Sequence, residues 1–164
     1  MKTFKITTIA ITSIALLFAA SHSALAHEDE HHEGPFSTPE PMVSEIKAVL
    51  TGYANEVSKS NIEGMAVYVI QSDQFSIIEG NHANWGWVDY RDNHLRPEFE
   101  SDKFKITAYS YSDIRVSVAD DVAYATYNSR IEYIYDGEAK SKDSMGTVIF
   151  VKTEHGWRIR HMQS

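Results

Sequence analysis

The amino-acid sequence predicts an α+β fold in which about three N-terminal helices pack on one face of a curved antiparallel sheet, giving a cone. Three observations predict it. Apolar residues recur at helical spacing between Val43 and Leu95, four stretches rich in Val, Ile, Tyr, Phe and Thr follow Lys103, and short turn signals separate those stretches.

Each element has its own warrant. Val43, Ile46, Val49, Leu50, Tyr53 and Val57 stand three and four residues apart, which paints one apolar stripe on a helix over 43–60 with Ser44 as its N-cap. Ile62, Met65, Ala66 and Val69 repeat the pattern in a shorter helix. Residues 74–79 read as a short strand ended by Gly80, and 85–95 as a third helix that Pro97 stops. The stretches 103–118, 122–135, 140–152 and 157–163 then read as long strands of a meander, divided by Asp120-Asp121, Asp136-Gly137 and His155-Gly156.

A sheet that curls around a helix leaves an interior pocket, and alternation decides which side chains face it. On the last strand Trp157, Ile159, His161 and Gln163 share one face, opposite Arg158, Arg160 and Met162. On the strand 122–135, Tyr124, Thr126, Asn128, Arg130 and Glu132 oppose Ala125, Tyr127, Ser129, Ile131 and Tyr133. Periodicity leaves open which of those two faces lines the interior. The face bearing Asn128 and Arg130 is either a wet pocket or a dimer contact, and the tyrosine-rich face has enough apolar area to call for a homodimer.

Upstream of these elements, Lys2 and Lys5 precede an apolar stretch over 6–20 and the small residues Ala24 and Ala26, the order of a secretory signal peptide cleaved after Ala26. The apolar run falls short of the roughly 20 residues that cross a bilayer. The expected organisation is a signal peptide over 1–26, an acidic, His-rich flexible tail over 27–42 and one domain over 43–164. The mature chain is then periplasmic or secreted and not held by a membrane. Removing the two lysines takes the formal charge from −8 to −10, with no basic run to neutralise phosphates, so nucleic acid is set aside as a partner. The absence of cysteine excludes disulfides, thiol catalysis and cysteine metal sites.

The closing stretch Gly156-Trp157-Arg158-Ile159-Arg160-His161-Met162-Gln163-Ser164 resembles the final strand of nuclear transport factor 2-like (SnoaL-like) proteins. The segment from Glu79-Gly80 through Gly86-Trp87-Val88-Asp89-Tyr90-Arg91-Asp92-Asn93-His94-Leu95-Arg96-Pro97-Glu98 resembles one found in bacterial members. The likeness implies a ligand-binding cone, a homodimer, and acid-base chemistry of the isomerase, cyclase or hydrolase kind. It departs at Gln163, where many relatives carry a second histidine, and this puts a two-histidine pair on that strand in doubt.

The candidate site follows from spacing. Trp87, Tyr90, Arg91 and His94 lie on one helix face, where an aromatic wall, a cation and an imidazole suit an acidic or enol-bearing ligand. His161 and His94 are the candidate catalytic residues. Trp87, Tyr90, Arg91, Glu79, Asn128, Arg130, Gln163 and Tyr53 are the candidate ligand-binding residues, with Glu79 placed to orient His161 or Arg91. No cofactor is required. His27, His31 and His32, with the acids among them, offer donors for weak divalent metal binding by the tail. The expected function is an exported small-molecule-binding domain with an enclosed pocket; the alternative is a non-catalytic dimerising or metal-responsive module.

Overall fold

The computed structural model describes residues 40–164. The signal-peptide reading of 1–26 and the metal reading of His27, His31 and His32 fall outside the described residues. Among those described, no helix is long and apolar enough to cross a membrane, and no group of three or more His, Asp or Glu side chains is arranged to hold a metal ion.

The chain runs α1(Glu40–Ser58), α2(Ile62–Ala66), β1(Ser76–Glu79), β2(His82–Trp85), α3(Trp87–Tyr90), a π turn (Arg91–Leu95), α4(Arg96–Phe99), β3(Phe104–Ala119), β4(Val122–Tyr135), β5(Glu138–Thr153) and β6(Gly156–Gln163). The six strands form one open sheet in the order β2-β1-β6-β5-β4-β3. Every pairing is antiparallel except that of β1 with β6. Asp136 and Gly137 both take positive φ, 49° and 81°, as a tight hairpin between twisted strands demands.

Several bounds differ from the sequence reading by a few residues, and three differences matter for the site. α1 starts at Glu40, so residues 40–42 belong to the domain and Ser44 sits inside the helix; an acid and a proline suit a first turn, which faces a positive dipole end and has N–H groups to spare. β2 went unread because His82-Ala83-Asn84-Trp85 lacks β-branched residues. It pairs back on β1 around Gly80, whose φ is +59°. Pro97 does not stop the third helix: the Arg96 N–H reaches back to the Arg91 carbonyl, and the widened turn carries the chain through to Phe99.

The apolar stripe of α1 is buried on the concave face of the sheet, where Val118, Val148, Phe150, Trp157 and Ile159 are all nearly inaccessible. Burying a side chain such as Ile159 contributes roughly 1.5–3 kcal/mol. Bulges then decide which residues point inward. β3 carries two register shifts, between Ile106 and Ala108 and between Ser112 and Arg115, each adding one residue against β4. Every added residue reverses the alternation. Ile106, then Tyr109 and Tyr111, then Val116 and Val118 therefore all face the helices, although they do not share one parity.

Candidate functional site

The cone holds a part-open cavity of about 50 Å³ between α1, the helix from Trp87 to Phe99, and the sheet. One water needs roughly 10–15 Å³, so this space exceeds a single solvent site. Five tyrosines line it: Tyr53 from α1, Tyr90 from α3, Tyr109 and Tyr111 from β3, and Tyr127 from β4. Tyr111 packs edge-on against both strand neighbours, with ring centroids 5.2 Å from Tyr109 and 4.6 Å from Tyr127. Tyr127 lies opposite Gly146 of β5, where an added Cβ would run into its phenol and the Gln163 carbonyl. The missing side chain gives that ring its place.

Burial pushes all five phenols above their ordinary range, so they stay protonated and act as hydrogen-bond donors. The Tyr53 hydroxyl adjoins that of Tyr90, and Tyr111 adjoins Tyr109. Even so, the buried Tyr53 Oη and Tyr111 Oη have no hydrogen-bond partner among the described residues.

Glu79, His94 and Glu98 adjoin the phenols in the same lining. His94 Nε2 is 3.1 Å from Glu98 Oε2 and 3.4 Å from Glu79 Oε2. The hydrogen bond to Glu98 raises the imidazole above its ordinary value, against an opposing effect of burial. Glu79 is divided: 37 % of its side chain is exposed, yet its Oε2 is buried and unpartnered among the described residues. Burial raises this carboxyl above the usual range, with His94 drawing it partly back. Among the described residues, the lining contains no Lys or Arg.

Of the residues singled out from sequence, Tyr53, Glu79, Tyr90 and His94 meet in this cavity. The others among the described residues lie elsewhere. Trp87 is core, edge-on to Phe75 at 5.8 Å. Arg91 turns to its neighbour Asp92 in a two-point pair at 2.7 and 2.8 Å, away from the cavity. Asn128 and Arg130 lie on the outer sheet face, where Arg130 pairs with Glu132 and Asp143. On β4 the face bearing Ala125, Tyr127 and Ile131 points inward, with Tyr127 and Ile131 in the cavity wall, whereas Tyr133 is half-buried outside the lining and Tyr135 is exposed.

His161 misses the cavity for a reason visible in the register. Phe150 pairs with Ile159 but Ile149 pairs with His161, so Arg160 is an extra residue and reverses the alternation beyond it. Met162 thereby enters the core and lines the cavity. His161 turns outward, and its Nδ1 meets Ser76 Oγ at 2.9 Å. Gln163 is exposed at the end of β6, on the outer side.

Sequence reasoning missed Glu98, Tyr109, Tyr111 and Tyr127 as site residues. Glu98 had a signal, since it stands four residues after His94 on one helix face. The two-residue spacing of Tyr109 and Tyr111 also showed a shared face, but nothing local says that the face is concave.

The family model described as a SnoaL-like domain matches residues 46–164. Among curated proteins, none matches the sequence. Among solved structures, the fold is similar to that of a nuclear transport factor 2-like superfamily protein from Salmonella enterica serovar Typhimurium. The TM-score is 0.69 and the identity 16 %, over 75 % of this chain and 89 % of that one. It is similar also to an NTF2-like protein with a cystatin-like fold from Novosphingobium aromaticivorans, with TM-score 0.59 and identity 18 %, over 75 % and 80 % of the two chains. A candidate dehydratase of the NTF2-like family from Streptomyces avermitilis matches with TM-score 0.63 and identity 17 %, over 77 % and 96 %. With a matching family model that spans nearly the whole of the described domain, on an open six-stranded cone whose fold is similar to that of NTF2-like proteins, the chain belongs to the SnoaL-like domain family.

Proposed function

We propose that this chain is an exported small-molecule-binding domain, that its cavity takes a compact, uncharged organic ligand bearing a carbonyl or enol oxygen, and that Glu79 exchanges a proton with that ligand. The observation that carries this reading is the convergence of three buried polar atoms without a hydrogen bond among the described residues, Tyr53 Oη, Tyr111 Oη and Glu79 Oε2, on one cavity. Unpaired buried polar groups cost stability, so a site that retains three of them is suited to a partner from outside the chain. Phenols donate to a ligand oxygen, and do so more strongly as negative charge develops there. A carboxyl raised toward neutrality serves as proton acceptor and donor. The lining argues against an acidic ligand, since Glu79 and Glu98 would face it without any Lys or Arg. Arg91, the cation that the sequence offered for this task, is engaged by Asp92.

The test uses cyclopentanone and phenol as probes. Saturation-transfer NMR reads binding, and exchange of the cyclopentanone α-protons into D2O reads proton transfer. The expected result is binding that weakens in Tyr53→Phe and Tyr111→Phe, with exchange lost in Glu79→Gln while binding persists. Exchange at an unchanged rate in Glu79→Gln overturns the role of Glu79. Absence of binding by either probe overturns the choice of ligand class, and binding without exchange reduces the reading to a non-catalytic module.

Export and self-association belong to the same proposal. Cleavage after Ala26 predicts a secreted mass beginning at His27, and a mature mass that retains Lys2 and Lys5 removes the claim. Exposed Val122, Tyr124, Met145 and Ile149 support pairing of two copies through the outer sheet face. A monomer at all concentrations in light scattering refutes that pairing.

A further inference from the structure

We propose that Asn84 is a positioning residue that holds His94 doubly protonated, so that the imidazolium hydrogen-bonds Glu98 and leaves Glu79 Oε2 beside it without a hydrogen bond and open to the ligand. The last step rests on the function proposed above; the first two rest on hydrogen-bond geometry alone.

Asn84 is buried in β2, and its Nδ2 donates to Asp89 Oδ2 at 3.0 Å. The same oxygen accepts the Trp85 N–H at 2.9 Å, while Asp89 Oδ1 accepts from Asn93 Nδ2 at 2.8 Å. An ionised carboxylate has no proton to donate, so the amide must turn its NH₂ toward Asp89. The Asn84 carbonyl oxygen is then obliged to face His94 Nδ1, at 3.2 Å. Two acceptors set against each other repel, so Nδ1 carries a proton.

The other ring nitrogen also faces acceptors only, Glu98 Oε2 at 3.1 Å and Glu79 Oε2 at 3.4 Å. A neutral imidazole has one N–H and meets one of these demands; the imidazolium meets both. Its single Nε2 proton favours the nearer Glu98, consistent with the unpartnered state of Glu79 Oε2. The remaining groups around the ring are His82 of β2, with centroids 5.4 Å apart, and Tyr90 of α3 at 5.1 Å. Neither replaces the Asn84 contact at Nδ1. The upward direction of the His94 midpoint accords with this arrangement.

Two carboxylates thereby acquire different tasks. Glu98 balances the imidazolium, and Glu79 keeps a buried oxygen open to the cavity. The cause lies outside the cavity lining: Asp89 orients Asn84, and Asn84 sets the protonation of His94.

The test is a pH titration of the His94 ring nitrogens by ¹⁵N NMR, with His94→Gln used for assignment. No ligand is needed, so the relay succeeds or fails independently of the choice of substrate. In the parent, both ring nitrogens are expected to carry protons at neutral pH. In Asn84→Ala the midpoint falls, and the neutral ring keeps its one proton on Nε2. Asn84→Asp restores an acceptor and raises the midpoint again. Should Asn84→Ala fail to fold, Asp89→Asn keeps the half-buried side chain in place, removes the carboxylate that fixes the amide, frees the amide to turn, and is expected to lower the midpoint likewise. A neutral His94 ring at pH 7 in the parent, or a midpoint that none of these substitutions moves, overturns the proposal. Where the cyclopentanone assay is active, its pH profile should move with the His94 midpoint; a profile unmoved despite a shifted midpoint would confine Asn84 to a structural role.

Discussion

Replacing Tyr53 by phenylalanine should make the protein more stable and less able to bind. The Tyr53 hydroxyl is buried and unpartnered among the described residues, and its ring packs in the core. Phenylalanine keeps the ring and removes the stranded oxygen. An unsatisfied buried hydroxyl costs about 1–3 kcal/mol. The cavity beside it, at about 50 Å³, has room for water to satisfy part of that demand, which places the gain near the lower end. A gain of about 1 kcal/mol corresponds to roughly 4 °C in melting temperature for a domain of this size. Urea denaturation with an unchanged slope, together with calorimetry, measures the gain, and saturation-transfer NMR measures the loss of probe binding. Ser76→Ala is the control: Ser76 Oγ is paired with His161 Nδ1 at 2.9 Å, so its loss should destabilise by about 0.5–1.5 kcal/mol. A lower melting temperature in Tyr53→Phe would mean that the hydroxyl holds the fold together. The case for a ligand site built on unpartnered groups would then fall with it.

Four further outcomes follow from the same geometry. Ile159→Ala, at a fully buried position under α1, should cost about 2–5 kcal/mol in urea unfolding, and a cost under half that would show that the sheet closes over the gap. Deleting Arg160 removes the extra residue of β6 yet leaves Ile159 opposite Phe150 and His161 opposite Ile149, so Met162 should stay buried and hydrogen-exchange protection across β1 and β6 should persist; loss of that protection refutes the reading of Arg160 as the inserted residue. Arg91→Ala should leave probe affinity unchanged and the melting temperature nearly so, because its ion pair is part-exposed and off the cavity. The fourth concerns pH. The folded His94 midpoint is raised above the ordinary 6.5, so its contribution is complete below about pH 6.5 and is lost as pH rises through the folded midpoint. Glu79, also raised, acts in the same direction from its ordinary 4.5 upward. Melting temperature should therefore decline on the alkaline side, and His94→Gln should flatten the decline; an identical curve in that variant would separate His94 from the effect.

Much of the architecture was legible before any coordinates. The stripe from Val43 to Val57 is a helix because residues three and four apart share a face whatever they pack against. The strand 122–135 was readable end to end, since its alternation runs unbroken between two turns. Part of the site was legible for the same reason: Tyr90 and His94 lie one helical turn apart, and Tyr53 rides the α1 stripe. Helix 85–95 was read too short, because a π turn is set by backbone hydrogen bonding that no side chain announces.

What the sequence determined by itself is therefore most of the elements, β2 excepted, their order, and which residues share a face within an uninterrupted stretch. All of these are local properties of chain geometry and of side-chain type. Only the tertiary structure decided which face is concave and where alternation reverses. The bulges of β3 bring Tyr109 and Tyr111 inward, and Arg160 sends His161 out and Met162 in. A bulge is a mismatch between two strands, so neither strand's sequence contains it alone. The meeting of Glu79, His94 and Glu98 is of the same kind: it joins a strand end to a helix through the fold of the intervening hairpin, and no spacing along the chain encodes the 3.4 Å between Glu79 and His94.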